Sequence, residues 1–279
     1  MLIARGLHAL ITRSGRRQSE VAKAAGVSVG TVTRYLGWQD RARLRVPTIR
    51  AIAEACEATP AERDALVQLV TDQDSGWWMD DPAVPEILDP LVSFEGYAGY
   101  EHVWANNLVP GLLQTRRYAL ALHQATDVRL DSETIAGRVD ARIKRQAILD
   151  RSPALHLWVV LDEQVLRRPV GGSDVMAEQI DHLVAMSERP TIDLQVLPSA
   201  IGAHAAGSGG HFVLLGRDDE RDPLASMAVV YLELHRKGLY LDAPGDVADY
   251  KIMFDYLRAT AANADRSRSL MTAARQEYT

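Results

Sequence analysis

Residues 16–38 read RRQSEVAKAAGVSVGTVTRYLGW. The first half carries Glu20, Lys23 and several alanines and predicts a helix from Gln18 to Ala25. The second half holds Val29, Gly30, Thr31, Val32 and Thr33, a glycine among β-branched residues that lowers helix propensity by about several tenths of a kcal/mol per position. Between them, Gly26-Val27-Ser28 reads as a tight turn: Gly26 is free to take a positive φ and Ser28 is placed to cap the next helix through its hydroxyl. That helix is expected from about Val29 to Leu36, with Gly37 ending it. On a 100° wheel Val32, Tyr35 and Leu36 fall on one side and Gly30, Thr31, Thr33 and Arg34 on the other. Tertiary packing of the first side, rather than propensity, has to hold so short a helix.

Working outward, Ile3, Leu7, Leu10 and Ile11 recur at helical spacing until Ser14-Gly15. A basic loop, residues 39–46, leads to Pro47, which suits the first turn of a fourth helix with Ile49, Ile52, Ala53 and Cys56 on one face. Thr59-Pro60-Ala61-Glu62 combines a capping box with proline at the first helical position, and Leu66, Leu69 and Val70 continue as a fifth helix. Residues 1–73 are therefore expected to form an all-α unit. Cys56 is the only cysteine, which excludes an intrachain disulfide and a thiolate metal cage, and its helical neighbours predict a buried small hydrophobe.

The net charge of −6 is unevenly spread. Residues 1–50 sum to +8, residues 51–74 to −5 and the remainder to −9. An overall acidic chain thus conceals a basic N-terminal patch, the kind of surface that phosphate backbones attract. The outer face of the third helix, small residues plus one arginine, suits close approach. B-DNA's major groove admits a helix, and threonine or arginine side chains reach base edges there.

This stretch resembles the helix-turn-helix of phage-repressor-like regulators, the xenobiotic-response-element (XRE) family. The family pattern falls on Gln18, Val21-Ala22, Gly26-Val27-Ser28 and Val32-Thr33-Arg34, and the likeness runs through residues 1–73 in helix order and spacing. The resemblance implies that Gln18 contacts a phosphate, that Val29, Gly30, Thr31 and Arg34 face the groove, and that Thr33 sits beside the backbone with Arg17 and Lys23 as phosphate partners. Ser28, at the start of the recognition helix, is counted with them. The wheel places Val29 nearer the packing side than its companions. Leu36 stands where the family usually has glutamate, so the contact that acid makes within the domain is expected to be missing.

Residues 71–90, TDQDSGWWMDDPAVPEILDP, interrupt the helical pattern with proline, glycine and acids, and a linker is expected over 74–90. From Val92 to Asp150 the residues are mostly helix formers. Beyond Asp150, ALHLWVVL, TIDLQVLP, HFVLLG and MAVVYLELH are short β-rich runs, the last followed by KGLYLD as a hairpin partner. Residues 244–262 predict an amphipathic helix carrying Val247, Tyr250, Phe254 and Leu257, followed by a polar tail. The expected architecture is an α head followed by a larger α+β domain over 91–279. Its blocks YEHVWANNLVPGLLQTRRYALAL, LDEQVLRRPVGGSDVMAEQIDHL, LQVLPSAIGAHAAGSGGHFVLL and VVYLEL resemble the C-terminal domain of an actinobacterial group of antitoxin-like transcriptional regulators. That resemblance implies a small companion protein encoded nearby.

Other chemistry is weakly supported. Arg167-Arg168-Pro169-Val170-Gly171-Gly172 lacks the spacing of a phosphate loop and reads better as a turn. His204 and His211 bracket a glycine-rich loop, yet no cysteine or acid lies between them to complete a metal site. Asp162-Glu163 after a strand reads as an acidic first helical turn before a catalytic carboxylate, and Ser152, Ser173 and Ser208 show no nucleophile elbow. Trp77, Trp78, Tyr97, Tyr100 and Trp104 could line a pocket, with ordinary packing the simpler reading. No cofactor motif, no bilayer-spanning run and no N-terminal export pattern is present, and the expected location is the cytoplasm. The function expected is that of a non-enzymatic, sequence-specific transcriptional regulator: a homodimer on operator DNA whose second domain dimerises and senses an effector or partner protein. The alternative is an antitoxin-like module that sequesters a small partner protein and autoregulates by DNA binding.

Overall fold

The structure, a computed structural model, describes residues 2–37, 44–74, 89–218, 227–234 and 237–278. The chain divides into two compact units, Met1–Asp80 with Arg217–Met227, and Asp81–Gly216 with Ala228–Thr279. The expected linker therefore lies almost entirely outside the described residues, as do Trp77 and Trp78.

The first unit contains five helices: α1 (Leu2–Ser14), α2 (Gln18–Ala24), α3 (Val29–Leu36), α4 (Val46–Ala55) and α5 (Pro60–Asp74). The caps of α3 and α5 show local reasons for where they start. Gly26 adopts φ +67° in the turn between α2 and α3, and the Ser28 hydroxyl accepts from the Thr31 backbone N–H at 3.0 Å. At α5 the capping box closes both ways: Glu62 N–H donates to Thr59 Oγ1 at 3.3 Å, and Thr59 N–H to a Glu62 carboxylate oxygen at 2.8 Å. Gly37 ends α3 in extended backbone, φ −86°, rather than in a left-handed cap. The core gathers Leu7, Leu10, Val21, Val32, Tyr35, Ile49, Ile52 and Leu66, all buried, with Cys56 among them. Leu36 is buried in the same cluster. An apolar contact therefore occupies this position at the end of α3.

The second unit is a six-stranded mixed sheet with flanking helices. Its elements in chain order are α6 (Asp89–Tyr97), β1 (Tyr100–Ala105), α7 (Arg116–Thr126), α8 (Ser132–Arg145), β2 (His156–Asp162), α9 (Glu163–Arg167), α10 (Ser173–Met186), β3 (Ile192–Leu197), β4 (Phe212–Arg217), β5 (Met227–Leu234), β6 (Lys237–Leu241), α11 (Pro244–Thr260) and α12 (Ala264–Gln276). The strand order is β3-β2-β1-β4-β5-β6. β1, β2 and β3 run parallel through helical crossovers, β4 pairs antiparallel with β1, and β5 and β6 form an antiparallel hairpin. Chain order thus progresses from β1 toward β3 and then returns to the far side of β1.

Two expectations need correction. The region from Val92 to Asp150 contains β1, a strand near the middle of the sheet, which the helix-former reading passed over. YEHVWA hides its strand character because Glu101 is 3% exposed yet polar, so no hydrophobic alternation appears. The polar tail is the helix α12, which buries Ser267, Met271 and Ala274. Val196 N–H donates to Ser267 Oγ at 3.0 Å, and Ala262 N–H to Val196 O at 2.9 Å, so this end of the chain covers the edge strand β3.

The VPGLLQT block is a buried turn whose backbone is held by side chains. Gln114 Nε2 donates to Val109 O at 2.8 Å, Gln146 Nε2 to Gln114 O at 2.7 Å and Gln179 Nε2 to Leu113 O at 2.7 Å, while Tyr118 Oη accepts from Val109 N–H at 3.2 Å. The RRPVGG block is likewise a turn. Gly171 sits at φ +73°, and a Cβ there would lie 2.7 Å from Ala121 Cβ.

Candidate nucleic-acid interface

Two consecutive helices, α2 and α3, joined by the Gly26 turn, build the candidate interface. Val21 and Ala22 of α2, with Val32 and Tyr35 of α3, face inward, so the opposite faces of both helices are presented together. Arg17, Lys23, Ser28, Val29, Gly30, Thr33 and Arg34 are exposed, and Gln18 and Thr31 are half-buried. Val29 is 46% exposed, which moves it to the outer face despite its place on the wheel, because a first-turn residue projects past the end of its helix.

Hydrogen bonds tie this surface into one piece. The single Thr33 hydroxyl proton is shared between Gln18 Oε1 at 3.3 Å and Val29 O at 3.1 Å. Ser28 Oγ and Thr31 Oγ1 lie 2.9 Å apart. The Glu20 carboxylate accepts the Arg17 N–H at 2.8 Å, closing the start of α2. Tyr35 Oη accepts from Arg45 N–H at 2.9 Å, which joins the buried side of α3 to the residue preceding α4. Gly30 is not required by the fold: a Cβ there would meet only Ser28 Oγ at 3.8 Å. Its missing side chain leaves a shallow place on the outer face, where a second surface can come close.

The electrostatics sort the basic residues into two groups. Arg13 pairs with Glu62, and Arg16 with Glu57 at 2.7 Å, so both are used inside the unit. Glu62, buried and accepting from Arg13 and Thr59, is pulled down from 4.5 to about 2. Arg17, Lys23 and Arg34 make no ion pair among the described residues, and Arg34 stands over the Tyr35 ring at 5.7 Å. The charge count from the sequence therefore overstated the available cations, and these three stand outward on and beside α2 and α3. Arg41 and Arg43 lie outside the described residues.

A helix-turn-helix domain model matches residues 2–66, and a domain of unknown function, DUF5753, matches residues 88–273. The chain belongs to the DUF5753 family. No curated protein and no solved structure matches it. The helix-turn-helix match makes the head a DNA-binding module, and the chain as a whole a DNA-binding regulator.

Within the DUF5753 region the candidate chemical residues are dispersed. Asp162 caps α9 through Gln164 N–H at 2.9 Å, and Glu163 pairs with Arg167 at 3.0 Å and accepts Ser199 N–H at 2.8 Å. Both are occupied in local structure. His204 packs edge-on to Trp104, ring centroids 5.1 Å apart, on the side where Trp104 and Phe212 meet α11. His211 directly precedes Phe212, the first residue of β4. No group of three metal-ligating side chains occurs among the described residues. Tyr97 packs on Phe94, and Tyr100 on His102, within this unit. Among the described residues no helix is long and apolar enough to cross a membrane.

Proposed function

We propose that the chain is a sequence-specific transcriptional regulator of the XRE type that inserts α3 into the major groove. In this reading Val29, Gly30, Thr31 and Arg34 meet base edges, and Arg17, Gln18, Lys23, Ser28 and Thr33 meet the sugar-phosphate backbone. The observation that carries it is the outer face of α3: a small-residue surface with Arg34 outward, flanked by Arg17 and Lys23, none of the three in an ion pair among the described residues. The protein acts as a homodimer on two half-sites, because one short recognition helix buries too little surface for useful affinity. The second domain supplies dimerisation and signal reception without catalysis.

Fluorescence anisotropy of labelled duplex DNA over a salt series tests the phosphate-contact part. The slope of log affinity on log salt is expected to fall by about one unit per protomer for Lys23→Ala. An unchanged slope removes Lys23 from the interface.

A further inference from the structure

The DUF5753 region contains a half-buried cation that no acid of the described residues matches. Arg142, on α8, is held in a crowded setting, and its Nη1 donates to the neutral Gln114 Oε1 at 3.0 Å. No carboxylate of the described residues lies within ion-pair distance of it, and its remaining N–H groups meet no acceptor there. Those groups are nevertheless absent from the fully buried, unsatisfied atoms, so solvent-sized molecules reach them. Burying a charge without a partner is costly. Burial and the neighbouring Arg145 push the Arg142 guanidinium down to about 10.

The acids around it are committed elsewhere. Glu95 takes Arg145, whose Nε donates to it at 2.8 Å. Asp127 takes Arg138 at 2.9 Å and His123 Nδ1 at 2.8 Å. Burial and the charge of Glu95 drive Glu101 well above its ordinary value, against the pull of Arg145. Burial and the charge of Arg142 lower His123 from its ordinary value, and its buried Nε2 meets no hydrogen-bond partner among the described residues. Glu233, exposed, acts on Arg142 only through its field.

The position is also distinctive. Arg142 and Arg145 press on Gly111 in the segment that leaves the carboxyl end of β1: a Cβ on Gly111 would stand 3.1 Å from Arg142 Nη1 and 3.5 Å from Arg145 Nη1. β1 is where the strand order turns back, with parallel β2 on one side and antiparallel β4 on the other. In open α/β sheets small molecules bind outside the carboxyl ends of the strands at such a point.

We propose that Arg142 anchors a binding site for a small organic monocarboxylate at the carboxyl end of β1. The guanidinium fork offers parallel N–H groups that match a carboxylate. One unmatched positive charge sets the ligand's charge at one, because a second negative charge would face Glu95 and Glu233 without compensation. Gly111 keeps the approach to the guanidinium clear. A role of this ligand as the regulator's effector rests on the function proposed above; the site itself does not.

The test uses the full-length chain without DNA, so that it stands or falls apart from DNA binding. Arginine Nε–Hε signals are followed by NMR during titration with sodium benzoate, with benzamide and inorganic phosphate as parallel probes at matched ionic strength. Arg142→Met identifies the signal, and its circular dichroism and melting curve establish that it folds. The Arg142 signal is expected to move saturably with benzoate at roughly tenfold lower concentration than exposed arginines such as Arg116, and to stay still with benzamide. Gly111→Ala, folded by the same criteria, is expected to weaken that response by about tenfold. The proposal is overturned if Arg142 responds no earlier than Arg116, if benzamide moves it equally, or if phosphate binds more tightly than benzoate.

Discussion

Thr33 Oγ1 donates to Gln18 Oε1 at 3.3 Å, across from the middle of α3 to the first residue of α2. The bond is exposed and long, so it adds little to stability. Its effect is to fix where the Gln18 amide points: with Oε1 taken by Thr33, Nε2 is the end free to donate to a phosphate oxygen. Gln18→Ala is therefore expected to leave the melting of the head within about 0.5 kcal/mol of the parent while weakening binding to all DNA sequences alike. Calorimetry and anisotropy on two unrelated duplexes check this. Loss on one duplex alone would make Gln18 a base reader.

Glu62 links the start of α5 to α1 through Arg13 and closes its own capping box. Its folded pKa lies at about 2, below its ordinary 4.5. A depressed carboxylate pKa contributes stability that is complete above the ordinary value and lost as the pH falls toward the folded one. The head should thus lose stability between about pH 4.5 and about pH 2, and Glu62→Gln should flatten that part of the profile. At neutral pH the substitution should cost about 1 kcal/mol or somewhat more, at the low end because Arg13 is half exposed. Thermal melting of both proteins across this range is the measurement; parallel profiles would remove Glu62 from the acid response.

In the second unit the Glu95–Arg145 pair is buried at both ends, with side-chain exposures of 1% and 14%. Removing one partner strands the other charge inside the protein. Glu95→Gln should cost about 3–5 kcal/mol, read by hydrogen exchange at β1 and α8, where protection would fall together. A loss no larger than that of an exposed pair such as Arg116–Asp140 would show that water reaches Arg145.

What was legible in the sequence followed from side chains that advertise their environment. Ser28, Gly26 and the Thr59–Glu62 box announced their caps, and Val32, Tyr35 and Leu36 announced the buried side of α3. The five later strands were visible because their apolar runs end in proline, glycine or aspartate. Those parts that stayed hidden depend on polar groups doing buried work. Glu101 disguised β1 as a non-strand, Ser267 made α12 look like a solvated tail, and a one-dimensional charge count could not tell that Arg13 and Arg16 are neutralised by acids about 40 or more residues away. Arg142 gave no signal at all. It lies in the basic run ARIKRQ, where nothing in the spacing separates a half-buried guanidinium from the exposed Lys144 nearby.

The central claim, that the outer face of α3 reads base sequence, is tested most directly by selecting duplexes from a random-sequence pool with the full-length protein and with Arg34→Ala. The unaltered protein is expected to enrich a defined motif. Arg34→Ala is expected to lose about 1–3 kcal/mol of preference per base contact while keeping its affinity for unselected DNA. Enrichment of the same motif to the same degree by Arg34→Ala, or equal loss of affinity for motif and random DNA, would contradict it.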